Sequence, residues 1–242
     1  MAESQISVVV VAPCFNEVDL IEPFLLALTQ ADASTRIMLV DDGSDDGSSG
    51  LCASLAERFH PRVQAILLPI NVGKNAALRI AAAQESADVL VTHDVDLPVD
   101  AAMIADIMQT FRETPRSFVY GSRFAAGRPK SMSFVRRRCN ALLARWVSRL
   151  LRRRVTDVLC GLKAVPREAF LRMPVSNCRW GDLDIFFGAA DQELAFHEVP
   201  APAAARMAGK SKMRVFRHGL AFVHLCLKRA WFNRQFRTAN QC

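Results

Sequence analysis

The sequence predicts an α/β protein: a mostly parallel central sheet with helices on both faces, followed by basic amphipathic helices. Three observations predict it. Short β-branched apolar runs alternate with segments of helical spacing through the first half of the chain, the pattern of a sheet covered on both sides. Turn-forming clusters close several of those runs, as in Asp41-Asp42-Gly43-Ser44-Asp45-Asp46-Gly47-Ser48. The second half carries two strongly basic segments whose apolar residues recur at helical spacing.

Each element follows in order. Ile6 to Ala12 is a continuous apolar strand, broken by Pro13-Cys14-Phe15-Asn16-Glu17. Glu17 to Gln30 is a helix, with Leu20, Ile21, Phe24, Leu25 and Leu28 on one face. Arg36–Val40 is the second strand and ends in the Asp-Gly-Ser cluster. A helix through Leu51–Phe59 and a strand at Val63–Leu67 come next. Asn71-Val72-Gly73-Lys74 opens an alanine-rich helix to about Glu85. A strand at Asp88–His93, a helix near Val99–Phe111 and a strand at Ser117–Tyr120 complete the alternation. Residues 134–154 read as a basic helix, with Arg138, Arg145, Arg149 and Arg152 on one face and Leu142, Leu143, Trp146 and Leu150 on another. Residues 213–236 repeat that character: Phe216, Leu220, Val223, Leu227 and Trp231 form a stripe flanked by Arg217, Lys228, Arg229 and Arg234. Each helix alone fits a solvated basic face over core-packing residues. Together, Trp-bearing, they favour a membrane-surface role.

The most informative motif is Asp94-Val95-Asp96, at the C-terminal end of the Asp88–His93 strand. Ligands of open α/β sheets bind at that end of the strands. Two carboxylates there suit a hard divalent cation that also holds phosphate oxygens. The alternative for two such aspartates is a helix cap and a first-turn charge.

The chain has 242 residues and is 51% hydrophobic, enough for one large domain or two small ones. Its charge is uneven. Residues 1–129 hold 9 Lys/Arg and 17 Asp/Glu, net −8, and residues 130–242 hold 22 and 7, net +15, giving the chain's +7. No acidic residue follows Glu198. An anionic partner for the second half is implied: nucleic acid, membrane surface or phosphate. The seven cysteines include no CxxC pair, so free thiols in a reducing cytosol are expected rather than zinc. Met1-Ala2-Glu3-Ser4-Gln5 lacks the basic start of a signal peptide, and no apolar run approaches the roughly 18 residues of a membrane span.

Common nucleotide motifs fail. A phosphate loop ending at Gly73-Lys74 would need glycine at Leu68 and Ser or Thr at Asn75. Gly43, Gly47 and Gly50 lack the spacing of a dinucleotide fingerprint. A different pattern does match. Pro13-Cys14-Phe15-Asn16-Glu17, Val40-Asp41-Asp42-Gly43-Ser44, Asn71-Val72-Gly73-Lys74, Asp94-Val95-Asp96-Leu97, Gly121-Ser122-Arg123-Phe124, Asp157 with Cys160-Gly161-Leu162-Lys163, and Glu198-Val199-Pro200 with Arg206 and Gly209-Lys210-Ser211-Lys212 occur in order. By these the chain resembles a family 2 glycosyltransferase of GT-A fold, the Rossmann-like architecture of nucleotide-diphospho-sugar transferases. It is most similar to the dolichyl- and polyprenyl-phosphate sugar synthases, over about residues 6–212.

The resemblance implies roles. Pro13, Phe15 and Glu17 would frame the base and ribose, and Asp41 or Asp42 would bind one of them. Asp94 and Asp96 would meet the diphosphate through Mg2+ or Mn2+, Asp96 more directly. Arg123 would lie beside the sugar or phosphate. Arg206, Ser211 and Lys212 would belong to a segment closing over the diphosphate. Asp182 and Asp184 match the family's acidic pair near the acceptor. If the acceptor is a hydroxyl, one of them is the general base; if it is a lipid phosphate, none is needed and the Arg136-Arg137-Arg138 cluster serves instead. Among relatives' usual residues, the chain departs at His93, Val95, Pro98 and Cys160.

The expectation is an inverting, metal-dependent transferase. It would move a sugar from a UDP- or GDP-linked donor to a polyprenyl phosphate, peripherally attached to the cytoplasmic face of a membrane with an anionic surface. Residues 1–212 would be the transferase domain and residues 213–242 a basic extension. Nucleic acid is not expected as a partner. The alternatives are the same chemistry on a hydroxyl of a glycan, lipid or small molecule, and a non-catalytic membrane-surface or nucleic-acid-binding protein.

Overall fold

The computed structural model describes residues 6–32, 34–125, 127, 132–176, 178–202 and 215–239, and in the last of these the side chains of 219–233. The elements run β1 (Val8–Cys14), α1 (Val18–Ala31), β2 (Arg36–Asp41), α2 (Ser48–Arg58), β3 (Val63–Leu67), α3 (Lys74–Gln84), β4 (Val89–Thr92), α4 (Ala101–Glu113), β5 (Ser117–Ser122), α5 (Phe134–Leu151), β6 (Lys163–Pro166), α6 (Arg167–Arg172), α7 (Asp182–Asp191), β7 (Ala195–Pro200) and α8 (Val215–Ala239). They build one sheet in the order β3-β2-β1-β4-β6-β5-β7. β1, β2, β3 and β4 pair in parallel, as do β5 and β7, while β6 runs against both β4 and β5.

The strands are apolar on both faces because both are covered. Val9 and Val11 of β1, Val40 of β2 and Leu90 of β4 point to one core with α3, α5, α6, α7 and α8. Val10, Ala12, Leu39 and Val91 point to the other, with α1, α2 and α4. Each fully buried aliphatic side chain contributes roughly 1.5–3 kcal/mol, so period-two alternation commits each strand to one register.

Strand β1 extends through Pro13 and Cys14, two residues beyond its expected end, with Pro13 beside Val40 and Cys14 beside Asp41. Backbone direction explains the tolerance. Val11 turns its carbonyl to β4, accepting from His93 N at 3.0 Å, and Cys14 turns its carbonyl to the β2 side, accepting from Asp42 N at 2.8 Å. By alternation Pro13 faces the β4 side, where β4 has already ended, so its missing N–H removes no ladder bond.

The second half holds four elements the periodicity did not reveal: β6, α6, α7 and β7. Helix α5 stops at Leu151 rather than at 154, because Arg152 adopts the left-handed conformation at its end (φ 54°). Its core face is Asn140, Ala144, Val147 and Leu151, while Leu143, Trp146 and Leu150 are half-buried and Leu142 is exposed. Arg138, Arg145, Arg149 and Arg152 are all exposed. Helix α8 buries Phe222 and Cys226 and is tied down by Arg229 to Asp191 at 2.6 Å and by Asn233 to the Leu150 carbonyl at 3.0 Å. Its stripe of Leu220 (73% exposed), Val223, Leu227 and Trp231 (61% exposed) points outward. The Phe216, Arg217 and Arg234 side chains lie outside the described residues.

Candidate functional site

The parallel strands β1, β2, β4 and β5 end at one edge of the sheet, and antiparallel β6 begins there. Cys14, Asp41, Thr92, Ser122 and Lys163 therefore meet at that edge. β1 lies between β2 and β4, where the strand order reverses, and such a switch point opens a crevice for a ligand.

On the β1–β2 side two loops are pinned to each other. Asn16, in the left-handed region (φ 50°), donates its backbone N–H to Ser44 Oγ at 2.9 Å and its Nδ2 to Asp45 Oδ1 at 2.8 Å. Asp45 N donates back to Asn16 Oδ1 at 3.0 Å, and Glu17 N donates to Ser48 Oγ at 3.0 Å. Pro13 is buried, while Phe15 and Glu17 are half-buried at the crevice's rim.

The two neighbouring aspartates differ. Asp42 accepts Val72 N at 2.7 Å, Gly73 N at 2.9 Å and Asn71 Nδ2 at 3.0 Å, so it builds the Asn71–Gly73 loop. Burial raises its pKa, against the pull of those Val72 and Gly73 N–H groups and of Arg179. Gly43 lets this loop close: a Cβ there would stand 2.4 Å from the Ile70 carbonyl carbon. Asp41 is fully buried. Its Oδ2 accepts Ser44 N at 3.1 Å, and its Oδ1 is buried without a hydrogen-bond partner. A buried acceptor lacking a donor is costly, which sets Asp41 Oδ1 apart from the fully engaged carboxylate of Asp42.

Past the end of β4 the charges converge. Asp94 Oδ1 meets Lys74 Nζ at 2.6 Å, and its Oδ2 lies where a Cβ on residue 161 would be only 2.2 Å away, so Gly161 is required there. Burial works to raise the Asp94 pKa, but Lys74 in contact, with Lys163 and His93 nearby, holds it below the usual carboxylate range. Burial likewise opposes the Lys74 charge, yet Asp94, Asp182 and Asp96 together drive its pKa upward. Asp96 is half-buried. Beside it, Pro23, Phe24, Ala27, Leu97, Pro98 and Val99 line an apolar hollow of about 70 Å³. His93 is fully buried and burial lowers its pKa, with Nδ1 at 3.0 Å from the Asp94 carbonyl.

Arg123 grips Asp157 at two points, Nε to Oδ2 at 2.7 Å and NH2 to Oδ1 at 2.9 Å. Burial disfavours its charge, but Asp157, with Cys160 and Asp94 behind it, raises the Arg123 pKa. Asp182 and Asp184 occupy the first turn of α7 and are both buried. Asp182 Oδ1 is paired with Lys163 Nζ at 2.6 Å, and that ammonium also donates to the Cys160 carbonyl at 2.6 Å. Asp184 Oδ2 accepts from Asn75 Nδ2 at 2.7 Å and from Ser176 Oγ at 2.8 Å. Burial raises its pKa, opposed by Ser176 and Asn75.

The arrangement thus gathers Asp94, Asp96, Asp182 and Arg123 at one edge, with Asp41 and Asp42 in the adjoining crevice. Arg136 and Arg138 are exposed and Arg137 is half-buried in the first turn of α5. Arg206, Ser211 and Lys212 lie outside the described residues. Lys74, Asn75, Asp157, Gly161, Lys163 and Ser176 received no role from the sequence. Lys74, Asp157, Gly161 and Lys163 stand inside quoted motifs, but nothing local marks Asn75 or Ser176 as partners of Asp184, 109 residues from the first.

Among the described residues no group of three or more His, Cys, Asp and Glu could hold a metal. Asp94 and Asp96 fit an ion that brings oxygen ligands with its substrate, since Mg2+ usually combines one or two carboxylates with phosphates. Among the described residues no helix is long and apolar enough to cross a membrane.

Residues 9–170 match the sequence profile of Glycosyl transferase family 2. Glycosyltransferase AglD of Haloferax volcanii is 28% identical over 93% of this chain and 37% of that protein. The undecaprenyl-phosphate 4-deoxy-4-formamido-L-arabinose transferase of Klebsiella pneumoniae subsp. pneumoniae is 28% identical over 86% of this chain and 63% of that protein. The chain therefore spans less than two thirds of the length of these relatives. In fold it is similar to glucosyl-3-phosphoglycerate synthase of Mycobacterium tuberculosis, solved with Mn2+, UDP and phosphoglyceric acid (TM-score 0.70, 18% identity, 92% of this chain, 78% of that one). Mannosyl-3-phosphoglycerate synthase of Rubrobacter xylanophilus gives a TM-score of 0.65 at 20% identity, over 93% and 74%. At these identities the likeness to solved structures concerns the fold.

Proposed function

Since this chain belongs to glycosyl transferase family 2, we propose that it is an inverting, metal-dependent transferase moving a sugar from a UDP- or GDP-linked donor to a polyprenyl phosphate. The observation that carries the choice of acceptor is the state of Asp182 and Asp184. Both are buried, one paired with Lys163 and the other held by Asn75 and Ser176. A hydroxyl needs a general base to take its proton, and the two carboxylates proposed for the acceptor side are already engaged by protein partners. A phosphate acceptor arrives already anionic and needs no base. The relatives named for undecaprenyl phosphate support the same reading.

The residues then divide the work. Asp41 Oδ1 accepts from the base or ribose, and Asp42 shapes the loop that covers it. Pro13, Phe15 and Glu17 form the wall of the base pocket. Asp94 and Asp96 would hold Mg2+ or Mn2+, which supplies positive charge to the diphosphate as it leaves. Arg123, fixed by Asp157, places a second cation near the sugar phosphate. An acceptor phosphate oxygen attacks the anomeric carbon, the bond to the diphosphate breaks, and the nucleoside diphosphate keeps the electron pair. Arg136, Arg137 and Arg138 receive the lipid phosphate, and Arg206, Ser211 and Lys212 supply charge and hydrogen bonds to the diphosphate.

Residues 1–212 act as the transferase unit, and residues 213–242 help hold it to the membrane. The exposed Leu220, Val223, Leu227 and Trp231, with Lys228 beside them, and the arginines of α5 suit an anionic, cytoplasmic lipid surface. The test is transfer from UDP- and GDP-sugars with Mn2+ to a short polyprenyl phosphate and to the matching polyprenol. Transfer to the phosphate alone is expected. Transfer to the alcohol, with the phosphate inert, would overturn the proposal.

A further inference from the structure

We propose that Lys74 is the resident counter-cation of the donor site and makes the divalent metal bind together with the nucleotide rather than before it. This rests on the metal-dependent reading above.

The placement of Lys74 is the first sign. It is the opening residue of α3, where the helix dipole disfavours a cation. Helix chemistry therefore does not account for it, and a stronger partner does. That partner is Asp94, whose Oδ1 lies 2.6 Å from Lys74 Nζ, with only 13% of the lysine side chain exposed. The other Asp94 oxygen lies in the space beside Gly161, where a Cβ would stand 2.2 Å from it. One Asp94 oxygen is thus already engaged by the protein itself, and the other has room only because residue 161 is glycine.

A divalent ion arriving without a nucleotide would have to compete with that ammonium for Asp94. It would find no third carboxylate, thiolate or imidazole among the described residues to complete a shell. Lys74 also cancels one of the two negative charges that would attract the ion. An arriving diphosphate reverses both conditions, because it adds negative charge and supplies the missing oxygens. Lys74 then remains beside the diphosphate as a fixed cation. Metal and nucleotide affinities become linked, and each must strengthen the other by the same factor.

The experiment is Mn2+ titration of the full chain, followed by the paramagnetic signal of unbound Mn2+, alone and with UDP or GDP. The unsubstituted protein should bind Mn2+ weakly alone and roughly ten-fold or more tighter with its nucleotide, a coupling within the usual range. Lys74→Met should tighten nucleotide-free Mn2+ binding roughly ten-fold, since a neighbouring like charge is gone, and should shrink the coupling. Lys74→Gln, which keeps a hydrogen bond to Asp94 without the charge, should do the same if the methionine variant does not fold. Lys74→Arg should behave as the unsubstituted protein. Equal Mn2+ affinity with and without nucleotide would overturn the inference and leave the transferase reading standing. So would folded Lys74 variants that bind Mn2+ no more tightly. Failure of Mn2+ to bind with either nucleotide would remove the metal reading, and this inference with it.

Discussion

Replacing Asp182 with asparagine separates a structural carboxylate from a catalytic one. Asp182 and Lys163 are 5% and 1% exposed, with 2.6 Å between them. Removing one partner of a buried pair strands the other charge, at a cost of about 3–5 kcal/mol. Asparagine keeps an oxygen that can accept from Lys163, and the Cys160 carbonyl still receives the ammonium at 2.6 Å, so the lower end, about 3 kcal/mol, applies. In a domain of this size each kcal/mol moves the melting temperature by roughly 2–4 °C. Asp182→Asn should therefore melt about 6–12 °C lower. Below its melting transition it should keep most of its turnover. Lys163→Met combined with Asp182→Leu should recover part of the loss, because both desolvated charges are then gone. Calorimetry and single-turnover transfer test this on the same preparations. A variant melting within about 2 °C of the unsubstituted protein yet losing roughly 100-fold or more in rate would refute the reasoning. It would identify Asp182 as a base and return the hydroxyl acceptor to first place.

Gly161→Ala would drive a methyl group into the Asp94 carboxylate; Mn2+-dependent turnover should fall at least roughly ten-fold as the Lys74 contact is displaced, a loss of about 1.4 kcal/mol in the transition state, and unchanged kinetics would show that Asp94 is not held there. Asp184 carries a raised pKa, so its favourable contribution is full below the unfolded value of about 3.9 and is lost as pH rises through the folded one; the Asp184→Asn variant should lack this slope, and urea midpoints measured across pH should diverge from the unsubstituted protein's as pH rises, whereas parallel curves would count against a burdened carboxylate. Arg123→Lys keeps a charge but not the two-point grip on Asp157, and should cost about 1.5–3 kcal/mol of stability, the value of a charge-assisted bond, read by denaturant titration; no loss would make that grip incidental. Serine at Leu220, Val223, Leu227 and Trp231 together should leave the melting temperature nearly unchanged, because these side chains are exposed, while sedimentation with anionic vesicles falls sharply; undiminished binding would exclude α8 as the docking element.

The first half of the fold was legible because each buried strand is a continuous apolar run and each helix has one periodic face. Pro13 shows the limit of local rules: proline argued for a break, but the sheet's pairing on that side had already ended. β6 was hidden by its length and by Lys163, a residue that reads as surface until its partner Asp182 is known. The Leu220–Trp231 stripe was found by spacing, but spacing cannot say which side of a helix meets the core, and here the core took Phe222 and Cys226. Motif order located Asp41, Asp42, Asp94 and Asp96 at the sheet edge. It could not distinguish an aspartate with a spare oxygen from one consumed by its own loop, since that depends on where Val72 and Gly73 fall in space.

The reversed strand β6 also sets the order in which the chain can fold. The β1–β4 portion is joined by successive short crossovers, and its pairings can form once about the first ninety residues have left the ribosome. The sheet then stops growing on that side, because the next strand in sequence, β5, does not pair with β4. The outer edge of β4 must wait for Lys163–Pro166, which closes a long loop of chain before that edge gains any pairing. During that interval Val89–Thr92 is an unpaired apolar edge, the kind of segment that recruits other chains. Variants that weaken β6, even those that spare the finished protein, should therefore show their largest effect as aggregation during synthesis.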